Sequence, residues 1–267
     1  MPLLFFFDLD TTMISKNKLK EFSRYKTSKY CDEENVFVVE GTKIATEALK
    51  SNFEIEAICA TEEWYTEYRT LIRKKINPEN AYEVTDKDLE RITTLKTPNK
   101  VWLLLKRKYI VSPDVKSNIT LVLDKIQDPG NMGTIIRICD WFGIRNIVCS
   151  PDTVNCYNSK VVQSSMGGIF RTNIEYTDII AHLDYCKKNK ITIYGATLNG
   201  DNLYSSNISK DEKVLVIGNE SKGISDEVLK MLDNRIMIPN IGGSCESLNA
   251  SVATGIICYE FTRNKQE

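Results

Sequence analysis

Three short stretches of this 267-residue chain gather glycine, asparagine, serine and charge in the manner of binding loops: Asp128 to Gly133, Gly218 to Gly223, and Pro239 to Asn249. Glycine lets backbone come close to a ligand, and the exposed N–H and C=O groups can then read polar edges. The first stretch carries Asn131 and runs into a helical pattern that bears Arg137. The second carries Asn219 and Glu220 directly after the apolar run Val214 to Ile217. The third ends in E-S-L-N-A-S, where Ser247 and Asn249 mark the change from polar loop to apolar helix. Taken singly, each stretch is equally an ordinary turn, and Asn131 or Asn249 could do no more than start a helix. No G-x-G-x-x-G or G-x-x-x-x-G-K-[ST] fingerprint is present, which argues against the common nucleotide folds.

Loops of this kind need strands to hold them. From Asn118 onward the pattern alternates. Strands are predicted at Thr120 to Leu123, Ile144 to Cys149, Ile191 to Ala196, Val214 to Ile217 and Arg235 to Ile238. Helices are predicted at Thr134 to Phe142, Asn158 to Met166, Ile179 to Lys188, after Ser225, and from Ala250. That alternation predicts an α/β domain with a parallel sheet, whose ligand edge lies beyond the strand C-termini. A smaller α/β domain precedes it, with strands at Val36 to Glu40, Ile55 to Ala60, Tyr82 to Val84 and Val101 to Leu105. Helices separate them at Thr42 to Ser51, over residues 62–76 and at Asp86 to Leu95. The division is residues 13–106, a linker at 107–117 containing Pro113, and residues 118–267.

Composition narrows the field. A formal net charge of -1 means that any nucleic-acid partner is held by a local patch. The clearest patch is residues 16–30, where Lys16, Lys18, Lys20, Arg24, Lys26 and Lys29 face one acid, Glu21, with Tyr25 and Tyr30 interleaved. It reads either as a solvated face or as phosphate contacts with aromatic platforms for bases. The eight cysteines show no C-x-x-C pair and read as reduced thiols of a cytoplasmic protein. His182 is the lone histidine, so no multi-histidine metal site is expected, and a surface role is predicted for it. The apolar run at residues 1–7 is too short to span a bilayer and lacks the basic start of a secretory signal. The D-L-D-T-T after it resembles the nucleophile motif of haloacid-dehalogenase phosphatases, with Asp8 as nucleophile and Asp10 as acid. The domain that such enzymes build next is not visible.

In order, D-P-x-N-x-G-x-x-x-R, I-G-N-E-x-x-G and I-P with E-S-L-N-A-S-V-A resemble the three signature motifs of the SpoU (TrmH-like) RNA 2′-O-ribose methyltransferases of the SPOUT superfamily. The resemblance covers about residues 118–260, and V-F-V-V-E-G echoes the RNA-binding domain of ribosomal-protein type that precedes the catalytic one. It implies a parallel sheet tied in a trefoil knot, a homodimer, and S-adenosylmethionine as cofactor. Leu198, Gly218, Ile238 and Leu248 would cradle that cofactor, with Asn219 and Pro239 adjacent. The implied catalytic set is Arg137, Asn131, Glu220, Ser247 and Asn249. The family's arginine is often assigned as base. A guanidinium hardly deprotonates, so Arg137 is better suited to binding the 2′-oxygen or its phosphate. The two-domain layout implies ribosomal RNA ahead of transfer RNA. A catalytically inactive RNA-binding relative is the competing reading. No membrane and no metal are expected.

Overall fold

The structure, a computed structural model, describes residues 12–108, 118–206 and 208–263. The Asp8–Asp10 motif and most of the expected linker lie outside the described residues. The chain divides after Lys108 into two compact units.

The N-terminal unit holds β1 (Thr12–Met13), α1 (Lys16–Phe22), α2 (Ser28–Glu33), β2 (Val36–Glu40), α3 (Thr42–Lys50), β3 (Ile55–Ala60), α4 (Glu62–Arg73), β4 (Ala81–Glu83), α5 (Asp86–Ile92) and β5 (Val101–Lys106). Its sheet runs β1-β4-β3-β5-β2. It is mixed: β4 lies parallel to β1 and β3, while β5 is antiparallel to both β3 and β2. The apolar run of β2 is buried on both faces. Val36 and Val38 join Leu19, Phe22, Tyr25, Leu89 and Trp102 in one cluster, and Phe37 and Val39, pointing the other way, are also buried. Residues 16–30 are not one helix. A 3-10 turn at Ser23–Lys26 breaks them, and Phe22 and Tyr25 both turn inward onto Trp102.

The C-terminal unit holds β6 (Ile119–Asp124), α6 (Pro129–Trp141), β7 (Asn146–Cys149), α7 (Ser159–Ser165), β8 (Asn173–Tyr176), α8 (Ile179–Lys188), β9 (Thr192–Asn202), β10 (Lys213–Gly218), α9 (Asp226–Leu229), β11 (Asn234–Met237) and α10 (Ala250–Thr262). Its sheet is parallel throughout, in the order β11-β9-β10-β6-β7-β8. The central strands β6 and β10 read I-T-L-V-L-D and K-V-L-V-I-G and are buried almost end to end, as a sheet covered on both faces requires.

Two local readings need correction. The stretch before Thr134 is not a long loop, because α6 begins at Pro129. Asp128 caps it by accepting the Asn131 N–H (2.8 Å), and proline fits the first helical position, whose N–H has no helical partner. The edge strand β8 was missed: N-I-E-Y is half exposed and lacks a buried run. Among the described residues, no helix is long and apolar enough to cross a membrane.

Candidate active site

Strand β9 parts from β10 after Gly195, which is opposite Val216, and rejoins β11 with Asp201 opposite Ile236. Residues 196–200 therefore bow out of the sheet. Ile217 and Gly218 keep their β6 partners, Leu123 and Asp124, but have none on the β9 side. This is the C-terminal edge of the sheet, where the strand order reverses and ligands of open parallel sheets bind.

The loop after β10 is folded back on itself. Asn219 and Gly223 exchange backbone hydrogen bonds (2.9 Å each way), and Asn219 Oδ1 accepts from the N–H groups of Ser221 and Lys222 (3.0 Å each). Its Nδ2 donates to the Lys125 carbonyl (2.8 Å), and Ser225 N–H donates to the buried Asp124 carboxylate (2.7 Å). Gly218 is obligatory on grounds of space, since an added Cβ would stand 2.3 Å from Gly223 C and Ile224 N.

That clasp aims Glu220 at the start of α6. Glu220 Oε1 accepts from Asn131 Nδ2 (3.0 Å) and from the Asp128 N–H (3.3 Å). Asn131 Oδ1 in turn accepts from Asn249 Nδ2 (2.9 Å). Asn249 Oδ1 then caps α10, taking the N–H groups of Ser251 (2.9 Å) and Val252 (3.3 Å). The three sequence stretches thus meet in one chain of hydrogen bonds, Glu220–Asn131–Asn249. Every polar atom of the Asn131 amide is used within it, so Asn131 joins the loops while Asp128 caps the helix. These contacts fix loop geometry, and each is worth about 1 kcal/mol net, more where the carboxylate accepts.

Arg137 and Ser247 stand outside that chain. Six residues after Asn131, Arg137 lies on a different face of α6, about 9 Å further along. It is exposed, and among the described residues it has no hydrogen bond or ion pair. Asp140, one turn on, is taken by Arg171 in a two-pronged pair (2.8 Å each). Gly168 packs against the Arg137 backbone, leaving its side chain toward solvent. Ser247 is exposed on the loop before α10.

The residues expected to hold a cofactor occupy this same edge. Leu198 on the bow and Leu248 before α10 are exposed apolar side chains, joined by Ile241. Gly218, Ile238 and Pro239 are half-buried at the strand ends. Exposed leucines beside backbone released from strand pairing suit a flat heteroaromatic ring with polar edges. Asn240 was not singled out in the sequence. It organises the third loop, accepting from Gly242 and Gly243 (3.0 and 2.7 Å) and donating to the Gly243 and Cys245 carbonyls (2.9 and 3.2 Å). An asparagine two residues before a Gly-Gly pair is the signal that would have found it.

The basic stretch in the N-terminal unit is partly engaged. Lys18 pairs with Glu21 (2.9 Å), Lys29 with Glu33 (3.9 Å), Lys26 donates to the Glu90 carbonyl (3.3 Å), and Arg24 lies over the Tyr30 ring (4.1 Å). Lys16 and Lys20 have no ion pair among the described residues. His182 is half-buried, with a buried Nε2 that has no partner among the described residues, and burial lowers its pKa. It is less of a surface group than its polar neighbours suggest.

Known proteins resemble this chain in sequence and fold. Residues 118–259 match the SpoU rRNA Methylase family, and residues 16–102 match the MRM3-like substrate binding domain. The 23S rRNA (guanosine(2553)-2'-O)-methyltransferase RlmP of Bacillus subtilis is 27% identical over 245 residues, 91% of this chain and 94% of that protein. A TrmH-family structure from Porphyromonas gingivalis is 33% identical with a TM-score of 0.83, covering 94% of this chain and 99% of that one. The AdoMet-bound rRNA methyltransferase of Sinorhizobium meliloti, 23% identical, shares the fold with a TM-score of 0.84 over 97% of this chain and 100% of its own. With its three motif loops joined as described and the family matched over 118–259, the chain belongs to the SpoU rRNA methylase family.

Proposed function

We propose that this protein methylates a ribose 2′-oxygen of ribosomal RNA, at a guanosine, with S-adenosylmethionine as donor. The observation that carries this reading is the Glu220–Asn131–Asn249 chain, which draws three loops to the ligand edge of the sheet. Leu198, Gly218, Ile238 and Leu248 would hold the cofactor there, with Asn219 and Pro239 shaping the loops. When bound, the cofactor supplies a methyl group already activated on sulfonium. What the protein must add is alignment of the sugar oxygen and stabilisation of its negative charge as the proton leaves. Arg137, a guanidinium without a carboxylate partner among the described residues, is the group for the second task. Ser247, exposed at the loop rim, can hydrogen-bond the sugar. The N-terminal unit, residues 13–106, serves to bind the RNA.

Two further features belong to the same reading. The trefoil knot is supported by β10 lying between β9 and β6, and by the return of the segment after β11 to α6 through Asn249. A homodimer is supported by an apolar surface on α6 and α10. An added Gly255 Cβ would lie 3.5 Å from Ile138, so the two helices meet there. Val252 and Tyr259 flank Gly255 on α10 and are 50% and 59% exposed, while Trp141, one turn beyond Ile138, is 84% exposed. Surface of that kind calls for a partner, and a second copy brings the same patch. Trp141→Glu with Tyr259→Glu is expected to convert a dimer into a folded monomer in sedimentation velocity. A wild-type monomer, or a variant that stays dimeric, rules the surface out. A cytoplasmic setting is supported by eight free thiols, seven of them buried, with burial raising the pKa of Cys139, Cys149 and Cys258.

The test is transfer of tritium from methyl-labelled cofactor to an unmodified large-subunit ribosomal RNA transcript. The expected product is one alkali-resistant dinucleotide, which marks a 2′-O-methyl group. Label on a base, or no label with cofactor bound, overturns the reading.

A further inference from the structure

A chain of net charge -1 that works on RNA must concentrate its cations somewhere, and the α1–α2 stretch spends much of its charge locally. A second concentration sits at the corner where α3 ends, α4 ends and β5 runs out. Lys75 donates its ammonium to the Ser51 carbonyl after α3. Lys108 lies with its ammonium 4.4 Å from the centre of the Phe53 ring. Lys74, beside Lys75, is exposed and has no ion pair among the described residues. Glu47 on α3 pairs with Lys50 (3.8 Å), and Glu54, just before β3, pairs with Lys106 (2.6 Å).

We propose that Lys74, Lys75 and Lys108, gathered around the Ser51–Phe53 turn, form a phosphate-binding surface for structured RNA, distinct from the α1–α2 stretch. It rests on the RNA-methylating function proposed above. Burial, and then the charge of Lys75, lower the Lys108 pKa from its ordinary value. Lysines at a helix end also complement the helix dipole, which accounts for Lys74 and Lys75 after α4. It does not account for Lys108, which belongs to no helix yet converges on the same turn. An ammonium has three N–H donors, so Lys75 keeps two for a phosphate after bonding Ser51. The corner also continues toward α2: Arg107, next to Lys108, pairs with Asp32 (2.7 Å) and donates to the Val36 carbonyl (2.8 Å). Phosphate contacts suit a substrate selected by shape, because they position RNA without reading sequence.

The experiment is binding of full-length protein to an unmodified large-subunit ribosomal RNA transcript at several potassium chloride concentrations. Lys74→Glu with Lys108→Glu is expected to weaken binding at least tenfold and to flatten the log–log salt slope by about one to two. Cofactor affinity and melting temperature should match wild type. The matched change Lys187→Glu with Lys190→Glu, on α8 and the turn after it, should alter RNA affinity less than twofold. If the first pair unfolds the protein, Lys74→Gln with Lys108→Gln gives the same reading with a smaller loss. RNA affinity and salt slope equal to wild type, in a protein that still methylates, overturn this surface and leave the function standing. A wild-type protein that neither binds nor methylates RNA overturns both.

Discussion

Arg137→Ala is expected to lower turnover in the tritium assay by about 10²–10³-fold, the cost of removing one group that stabilises developing oxyanion charge. Affinity for S-adenosylmethionine and melting temperature should stay close to wild type. The second half of that expectation follows from the structure. Arg137 is exposed and unbonded among the described residues, so its removal breaks no contact that holds the fold. The first half follows from what is missing around it. Its nearest acid on the helix, Asp140, is held by both prongs of Arg171, so among the described residues no carboxylate pairs with Arg137. A guanidinium does not give up its proton in the working pH range, so loss of Arg137 should scale the rate without moving the pH profile. Arg137→Lys keeps the charge and loses the planar fork, and should fall between, about tenfold down. Near-wild-type turnover in the lysine form would remove Arg137 from the mechanism, as stabiliser and as base alike.

The legible part of this molecule was the part written in local pattern. The buried strands β2, β6 and β10 each contain an apolar run of three to four residues, and each was placed within a residue or two. The three loops that meet at the sheet edge were legible by composition, because only Gly, Asn and Ser make backbone available in that way. What joins them was not. The bond from Asn131 to Asn249 spans 118 residues, and no local property of either asparagine announces the other. Nor could spacing decide that Asp128 rather than Asn131 caps α6, since both are good cap residues three positions apart. The strand β8 was lost because an edge strand needs burial on one face only, and N-I-E-Y carries too few apolar residues to state it. The free charge of Arg137 is likewise a three-dimensional fact, created when Arg171 reaches back across 31 residues to claim Asp140.

Gly218→Ala should abolish measurable cofactor binding, at least a hundredfold loss of affinity by calorimetry, although the chain stays folded by circular dichroism. The added methyl would sit 2.3 Å from Gly223 C and Ile224 N and 2.6 Å from the Gly223 carbonyl oxygen. All three are backbone atoms, so no side chain can swing aside to make room. The backbone they belong to is closed by the reciprocal Asn219–Gly223 bonds and pinned by Ser225 to Asp124. Relief therefore means opening that clasp, which gives up several hydrogen bonds at about 1 kcal/mol each. Opening it moves Glu220, and Glu220 is what holds Asn131 in the orientation that receives Asn249. A single methyl at the end of β10 thus reaches the cap of α10, and with it the placement of Leu248. Gly223→Ala supplies the contrast. Its φ of +70° strains an alanine by about 1–2 kcal/mol, but nothing lies within 4 Å of the new Cβ. That variant should lose affinity by about tenfold or less. If Gly218→Ala binds the cofactor no worse than Gly223→Ala, the clasp does not shape the pocket, and the proposed cofactor site at this edge of the sheet falls with it.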